Sequence, residues 1–111
     1  MITWSVYILH FNTKYKHAGH YLGIAINPLE RFKQHCIGQG ARLTQIVSNN
    51  KIGMQQYVIS KHKGFSRTHK EEKRLKRVAH PERICPECKM IKSYLKIWRV
   101  YYENNRNESI F

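Results

Sequence analysis

Apolar and polar positions alternate over residues 4–9, where Val6 and Ile8 fall on one side of an extended chain and Ser5 and Tyr7 on the other. This period of two, filled by β-branched and aromatic residues, predicts a half-buried strand. Residues 20–26 repeat it, with Leu22, Ile24 and Ile26 on one side and Tyr21, Gly23 and Ala25 on the other. A hairpin across the polar stretch 12–19 turns both apolar sets to the core and brings Tyr7 and Tyr21 out together on the opposite face. Gly23, with no side chain, then leaves its patch open to a closely approaching backbone.

The period changes after Ile26. Asn27-Pro28 reads as an N-cap followed by proline at the first helical position, and Gly38-Gln39-Gly40 as the stop, so a helix of about three turns lies between them. Leu29, Phe32 and Cys36 are expected to face the core, while Arg31 and His35, at i and i+4, share a neighbouring face. Tyr57-Val58-Ile59 marks a third strand over 55–60. Thr68-x-x-Glu71 is a capping-box pattern opening a helix that carries Leu75 and Val78 and runs to Pro81. A last helix is predicted from about Glu87, with Ile91, Tyr94, Leu95, Trp98, Tyr101 and Tyr102 on one stripe that packs on the core or forms a dimer seam. Residues 104–111 read as a frayed polar end. Strands first and helices after predict an α+β fold, with a core over 1–80 and a C-terminal extension over 81–111.

Charge narrows the function. The 111 residues, room for one modest core, carry 20 Lys+Arg against 7 Asp+Glu, a formal net charge of +13. Residues 61–111 hold most of the excess, and the densest block is Lys61–Arg77. A polyanionic partner is implied, nucleic acid ahead of an anionic membrane. The chain has no aspartate, and among its seven glutamates only Glu71 and Glu72 are adjacent, which argues against a many-carboxylate metal cage. No apolar run approaches the ~20 residues of a spanning helix, and the first residues lack a secretory pattern. With three cysteines, which cannot close into a disulfide framework, the expectation is an intracellular, cytoplasmic protein.

Hydrolysing a phosphodiester takes an activated water, an acceptor for its proton, cationic stabilisation of the phosphate oxygens, and an acid or metal at the leaving oxygen. Tyr7, Tyr21, Arg31 and His35 are candidates. The same periodicity also fits packed amphipathic tyrosines and a solvated Arg/His helix face.

Val6-Tyr7, Tyr21-Leu22-Gly23, Asn27-Pro-x-x-Arg31-Phe-x-x-His35 and Gly40-Ala-Arg-Leu-Thr44, in this order and spacing, closely resemble the GIY-YIG nuclease domain. The resemblance covers residues 4–79 and is nearest to the small stand-alone bacterial and phage members, with similarity over 27–44 to the catalytic subunit of eukaryotic branched-DNA resolvases. It implies a small three-stranded antiparallel sheet flanked by helices, and a DNA endonuclease using one divalent ion, Mg²⁺ or Mn²⁺, on branched or otherwise structured DNA. By the same resemblance, Tyr7 and Tyr21 are the paired active-site tyrosines, one of them deprotonating or orienting the attacking water. Arg31 stabilises the scissile phosphate, His35 helps with proton transfer, and Glu72, three residues before Leu75, holds the metal. The helical wheel alone leaves Glu71 and Glu72 equivalent, and Glu71 also fits a helix-capping carboxylate. Ser5, Leu22 and Ile24 depart from the family pattern, and none of them is a catalytic position.

Two features lie beside this reading. Lys61, Lys63, Arg67, Lys70, Lys73, Arg74, Lys76 and Arg77 flank Glu72 as phosphate contacts or as a solvated helix face, and Arg42 and Lys51, in the loop after the first helix, are further candidates for gripping a strand. His80-x4-Cys85-Pro-Glu-Cys88 supplies half of a zinc site with His80 as third ligand, while Cys36, His62, His69 and His35 lie far back as sources of a fourth; otherwise the cysteines are small reduced core residues. The competing functional readings are a nucleic-acid-binding module that lacks turnover or depends on a partner protein, and a zinc-stabilised adaptor.

Overall fold

The computed structural model describes residues 1–78 and 80–92. Over them the chain runs β1 (Thr3–Tyr15), β2 (Ala18–Ala25), α1 (Pro28–Cys36), α2 (Arg42–Asn49), β3 (Met54–Lys63), α3 (Phe65–Val78) and α4 (Pro81–Ile84), and residues 86–92 are again helical. The three strands form one antiparallel sheet in the order β2-β1-β3, so the fold class is α+β.

β1 is the central strand, and this changes its burial. Both of its edges are paired and both of its faces are covered, so Tyr7 and Leu9 are as enclosed as Val6 and Ile8. Tyr7, expected to emerge on the outer face, is 1% exposed. On its side of the sheet, Tyr7, Leu9, Phe11 and Ala25 pack with Val47 of α2 and Phe32 of α1. On the other side, Ile8 and Leu22 lie under Leu75 of α3 and Ile84 of α4. The hairpin is tight: Tyr15 pairs with Ala18 across Lys16-His17, and Lys16 takes a left-handed φ of 54°. Ile26, expected in the core, falls just beyond β2 and is exposed. Between β1 and β3 the register shifts at Val6/Tyr7, where Val6 opposes Ser60 and Tyr7 opposes Val58. Such a bulge adds local twist at the strand position that carries Tyr7.

α1 begins as its sequence predicts, with Asn27 Oδ1 accepting from the Glu30 N–H at 3.1 Å and Pro28 in the first turn. It ends at the left-handed Gly38 (φ 81°). Its buried face differs from the apolar pattern. His35 is fully buried and Phe32 partly so, whereas Leu29 is 63% exposed and Cys36 is exposed too. An imidazole tolerates full burial when both ring nitrogens find partners, and those of His35 do, which turns the Arg31/His35 face inward. α2 was expected as a loop. Leu43, Ile46 and Val47, at i, i+3 and i+4, are the apolar set that places it on the sheet, and Arg42 is its first residue.

α3 opens at Phe65, directly after Gly64, whose φ of 85° turns the chain out of β3. Thr68 therefore sits inside the helix rather than at its cap. Its hydroxyl donates back to the Gly64 carbonyl at 2.8 Å, and Glu71 bonds Arg74 instead of a cap N–H. The inner stripe of α3 is Thr68, Glu72 and Leu75. Of the predicted last helix, residues 86–92 are helical with Ile91 exposed, while Tyr94 to Tyr102 and the polar end lie outside the described residues. Among the described residues, no helix is long and apolar enough to cross a membrane.

The rotated face of α1 makes a simple contrast. Leu29→Ala is expected to change stability by less than about 0.5 kcal/mol, whereas Leu9→Ala should cost about 2–5 kcal/mol. Urea midpoints of the two variants check it, and a core-sized loss for Leu29→Ala would contradict the orientation of the helix.

Candidate active site

Tyr7 lies mid-strand under α1, and its hydroxyl is 2.8 Å from His35 Nε2. His35 Nδ1 is 2.7 Å from Thr44 Oγ1, and Thr44 Oγ1 in turn donates to the Ala41 carbonyl at 2.8 Å. The last bond orders the protons of the others. Since the single Thr44 proton is committed to a carbonyl, Thr44 accepts from Nδ1–H, which leaves Nε2 as a bare acceptor for the Tyr7 O–H. The result is a one-directional chain from Tyr7 through His35 and Thr44 to the backbone.

Two glycines make room for it. A Cβ on Gly23, the β2 residue opposite Tyr7, would lie 2.6 Å from the Tyr7 hydroxyl oxygen, and one on Gly40 would lie 2.2 Å from His35 Nδ1. The space beside Gly23, expected to admit a foreign backbone, is thus filled by the Tyr7 ring. Gly40 serves less as a helix stop than as the bare wall against which the imidazole lies.

Tyr21 and Arg31 complete the cluster. The Tyr21 ring centroid is 6.4 Å from that of Tyr7 and 5.2 Å from that of His35, and Tyr21 is only partly buried. The Arg31 Nη1 donates to Gln34 Oε1 at 2.9 Å, and its charge acts on both buried rings. Burial, reinforced by the neighbouring Tyr21, pushes the Tyr7 phenol up to about 12, while Arg31 pulls against that rise and the Glu72 charge adds to it. Burial, helped by Arg31, drives the His35 imidazole down to about 4. At neutral pH the pair is an undissociated phenol bonded to an uncharged imidazole.

The two glutamates that the helical wheel leaves equivalent are distinct in space. Glu72 is 9% exposed, with His69 Nδ1 at 3.3 Å and Lys76 Nζ at 3.8 Å from its oxygens. Glu71 faces outward, and its hydrogen bond to Arg74 lowers its carboxyl below the usual range. The basic candidates are dispersed rather than gathered: Arg67, Lys70 and Lys73 are exposed along α3, Lys61 and Lys63 alternate outward on β3, Arg42 opens α2, and Lys51 follows it with a left-handed φ of 59°. Lys61 and Lys63 oppose Ser5 and Thr3, so the pleat puts them on the Tyr7 side of the sheet.

Cys85 and Cys88 do converge with histidines, but not with His80. Pro81 holds residue 80 extended and starts α4, leaving the His80 ring exposed and 4.0 Å from Glu82. The partners are His10 and His20, cross-strand neighbours in the hairpin, and the four donor atoms lie within 4.8 Å of one another. This set could hold a metal ion, and its nitrogen and sulfur donors suit zinc rather than Mg²⁺ or Mn²⁺. The signal for it was the parity of His10 with Ile8 and of His20 with Leu22.

The buried neutral His35 carries a pH dependence of stability. Its folded value of about 4 lies below the ordinary 6.5, so between these values the unfolded chain binds more protons and stability falls as pH falls. From pH 7 to 5 this one group is expected to contribute a loss of about 1–2 kcal/mol. His35→Gln, though less stable at pH 7, should show a correspondingly shallower decline in urea titrations at the two pH values; an unchanged slope would mean the imidazole titrates normally. Gly40→Ala, which pushes the ring off its wall, is expected to lose about 1–3 kcal/mol in the same assay.

No family model, no curated protein and no solved structure matches the chain, so its functional reading rests on these side chains.

Proposed function

We propose that the protein is a metal-dependent DNA endonuclease of the GIY-YIG type, acting on branched or otherwise structured DNA. The observation that carries this reading is the buried Tyr7–His35–Thr44 chain with Tyr21 and Arg31 packed around it and the single inward carboxylate of Glu72 on α3. A purely structural core has little reason to bury a tyrosine–histidine pair while leaving Leu29 on the surface. The strongly basic chain and its exposed Arg67, Lys70, Lys73, Lys61 and Lys63 support a phosphate backbone as the partner.

The hydrogen bond to His35 favours Tyr7 over Tyr21 as the proton acceptor. In the proposed step, a water proton passes to Tyr7 Oη as the phenolic proton passes to His35 Nε2. The water oxygen bonds to phosphorus, and the bond to the leaving oxygen breaks, with solvent protonating that oxygen. Arg31 holds the non-bridging oxygens. Tyr21, more exposed, orients the incoming water.

The family resemblance calls for one divalent ion. Glu72 fits it, as a single hard oxygen donor whose neighbour Glu71 is engaged by Arg74; a lone carboxylate suits Mg²⁺, which keeps several waters. When bound, Mg²⁺ or Mn²⁺ supplies positive charge to the phosphate and to the departing oxygen. The DNA-bound protein is expected to work in an intracellular, reducing setting, as one chain or with a second copy or a targeting partner.

Nicking of supercoiled plasmid and of fork and junction DNA with Mg²⁺ or Mn²⁺ tests the reading. Tyr7→Phe and Glu72→Ala are expected to lose at least about 100-fold in single-turnover rate, with DNA affinity largely kept. Because the free protein holds Tyr7 near 12 and His35 near 4, the reactive pair of undissociated phenol and uncharged imidazole is already complete at neutral pH, so the rate should stay level from about pH 6 to 8 instead of rising through the ordinary imidazole value of 6.5. Equal cutting by parent and Glu72→Ala would remove the assignment. Tight, salt-dependent binding with no cleavage under any divalent ion would replace it by a nucleic-acid-binding module. Replacing Arg67, Lys70 and Lys73 by alanine should flatten the salt dependence of binding by about one unit of slope per lost phosphate contact.

A further inference from the structure

We propose that His10, His20, Cys85 and Cys88 hold a structural zinc ion that staples the segment from Pro81 onward to the β1–β2 hairpin. The donor atoms are His10 Nδ1, His20 Nε2 and the two sulfurs. His10 Nδ1 lies 3.2 Å from His20 Nε2, 3.4 Å from Cys85 Sγ and 3.5 Å from Cys88 Sγ, and His20 Nε2 lies 3.3 Å from Cys88 Sγ.

Hydrogen bonding does not account for this arrangement. One ring nitrogen offers a single N–H or a single lone pair, yet His10 Nδ1 meets three polar atoms at once. Convergence on a common point does account for it. For a tetrahedral zinc with Zn–N near 2.05 Å and Zn–S near 2.3 Å, the donor-to-donor edges are about 3.3 Å for N···N and about 3.6 Å for N···S. All four separations fall within about 0.3 Å of those edges.

The surroundings are built for a closed site. Cys85 is fully buried and the other three ligands partly so. The Cys-x2-Cys backbone forms a turn in which Lys89 N–H donates to the Cys85 carbonyl at 3.0 Å. Glu87, between the two cysteines, has Oε1 3.7 Å from His10 Nε2, the ring nitrogen left over, and its Oε2 accepts from the Tyr57 hydroxyl at 2.7 Å. A carboxylate behind a ligating imidazole is the usual way its orientation is held. Four protein donors leave no position for water, so the ion has a structural rather than a catalytic part.

The staple also has something to do. Between the sheet and α4 lies a cavity of about 240 Å³ lined by Ile8, Leu22, Leu75 and Ile84 among others, so apolar packing under this segment is incomplete. In a chain of 111 residues, metal bonds to two elements separated by some 65 positions offset that loose packing.

The test uses the untagged full chain without DNA, so its outcome is independent of cleavage. Metal analysis is expected to find about one zinc per chain, and cobalt substitution should give the absorption bands of a tetrahedral thiolate site. Cys88→Ser and His20→Ala should each abolish stoichiometric metal, while His80→Ala keeps it. A strong chelator should lower the melting temperature of the parent and leave that of His20→Ala unmoved. Wild-type protein that takes up well under half an equivalent after refolding with zinc, or gives an octahedral cobalt spectrum, would overturn the proposal. Should the ligand variants fail to fold, the parent's cobalt spectrum and the His80→Ala stoichiometry still decide it. Full metal content with no change in melting on chelation would overturn the stapling role.

Discussion

A buried phenol bonded to a buried imidazole sets the terms for the rest of this molecule. Neither ring could sit at the centre of so small a core with an unmatched polar atom, because each unmatched atom would cost a sizeable part of a domain's stability. The chain from Tyr7 through His35 and Thr44 to the Ala41 carbonyl matches all of them in one direction. It also explains choices that are otherwise odd. Gly23 and Gly40 are bare because the rings occupy their side-chain space, α1 is turned with Leu29 outward because His35 must point in, and α2 is pinned by the threonine that ends the relay.

Whether each piece was legible in the sequence follows from how local its cause is. Strand periodicity at Val6–Ile8 and Leu22–Ile24, and the Asn27-Pro28 cap, are decided within a few residues, and the structure has them. The orientation of α1 is not local: the apolar pattern of Leu29, Phe32 and Cys36 competed with two hydrogen bonds to residues far along the chain, and the hydrogen bonds won. Thr68 misled for a related reason. Its spacing to Glu71 is that of a cap, yet the turn at Gly64 starts the helix four residues earlier and makes the threonine an interior one. α2 escaped because eight residues between two glycine-rich or polar stretches read as a loop.

The candidate site divides in the same way. Tyr7 and Tyr21 could be set side by side from strand parity alone, and Arg31 with His35 from helical spacing, but bringing the pairs together depended on the family resemblance. The choice between Glu71 and Glu72 needed the packing of α3, which sends one carboxylate to Arg74 and the other inward. The histidine partners of Cys85 and Cys88 were harder still. His10 and His20 become neighbours only because the β1–β2 register shifts between His10 and Tyr15; the register of the Lys16-His17 turn, carried on unbroken, would have set His10 opposite Gly23.

The two proposed metal positions differ in a way that lets them coexist. Glu72, with His69 and Lys76 beside it, is a single hard oxygen donor, and in the proposed reading water and phosphate oxygens would complete the shell of the ion it holds. His10, His20, Cys85 and Cys88 offer two nitrogens and two sulfurs already spaced for a small tetrahedral ion. Since soft and borderline donors outcompete a single carboxylate for zinc by a wide margin, the two proposals are compatible: zinc would favour the His/Cys cluster and leave the carboxylate to a hard ion. In a chain with no aspartate, the two proposed sites therefore separate donor types: the carboxylate proposed to face DNA lies on α3, and the thiolates proposed to close the fold lie beyond Pro81.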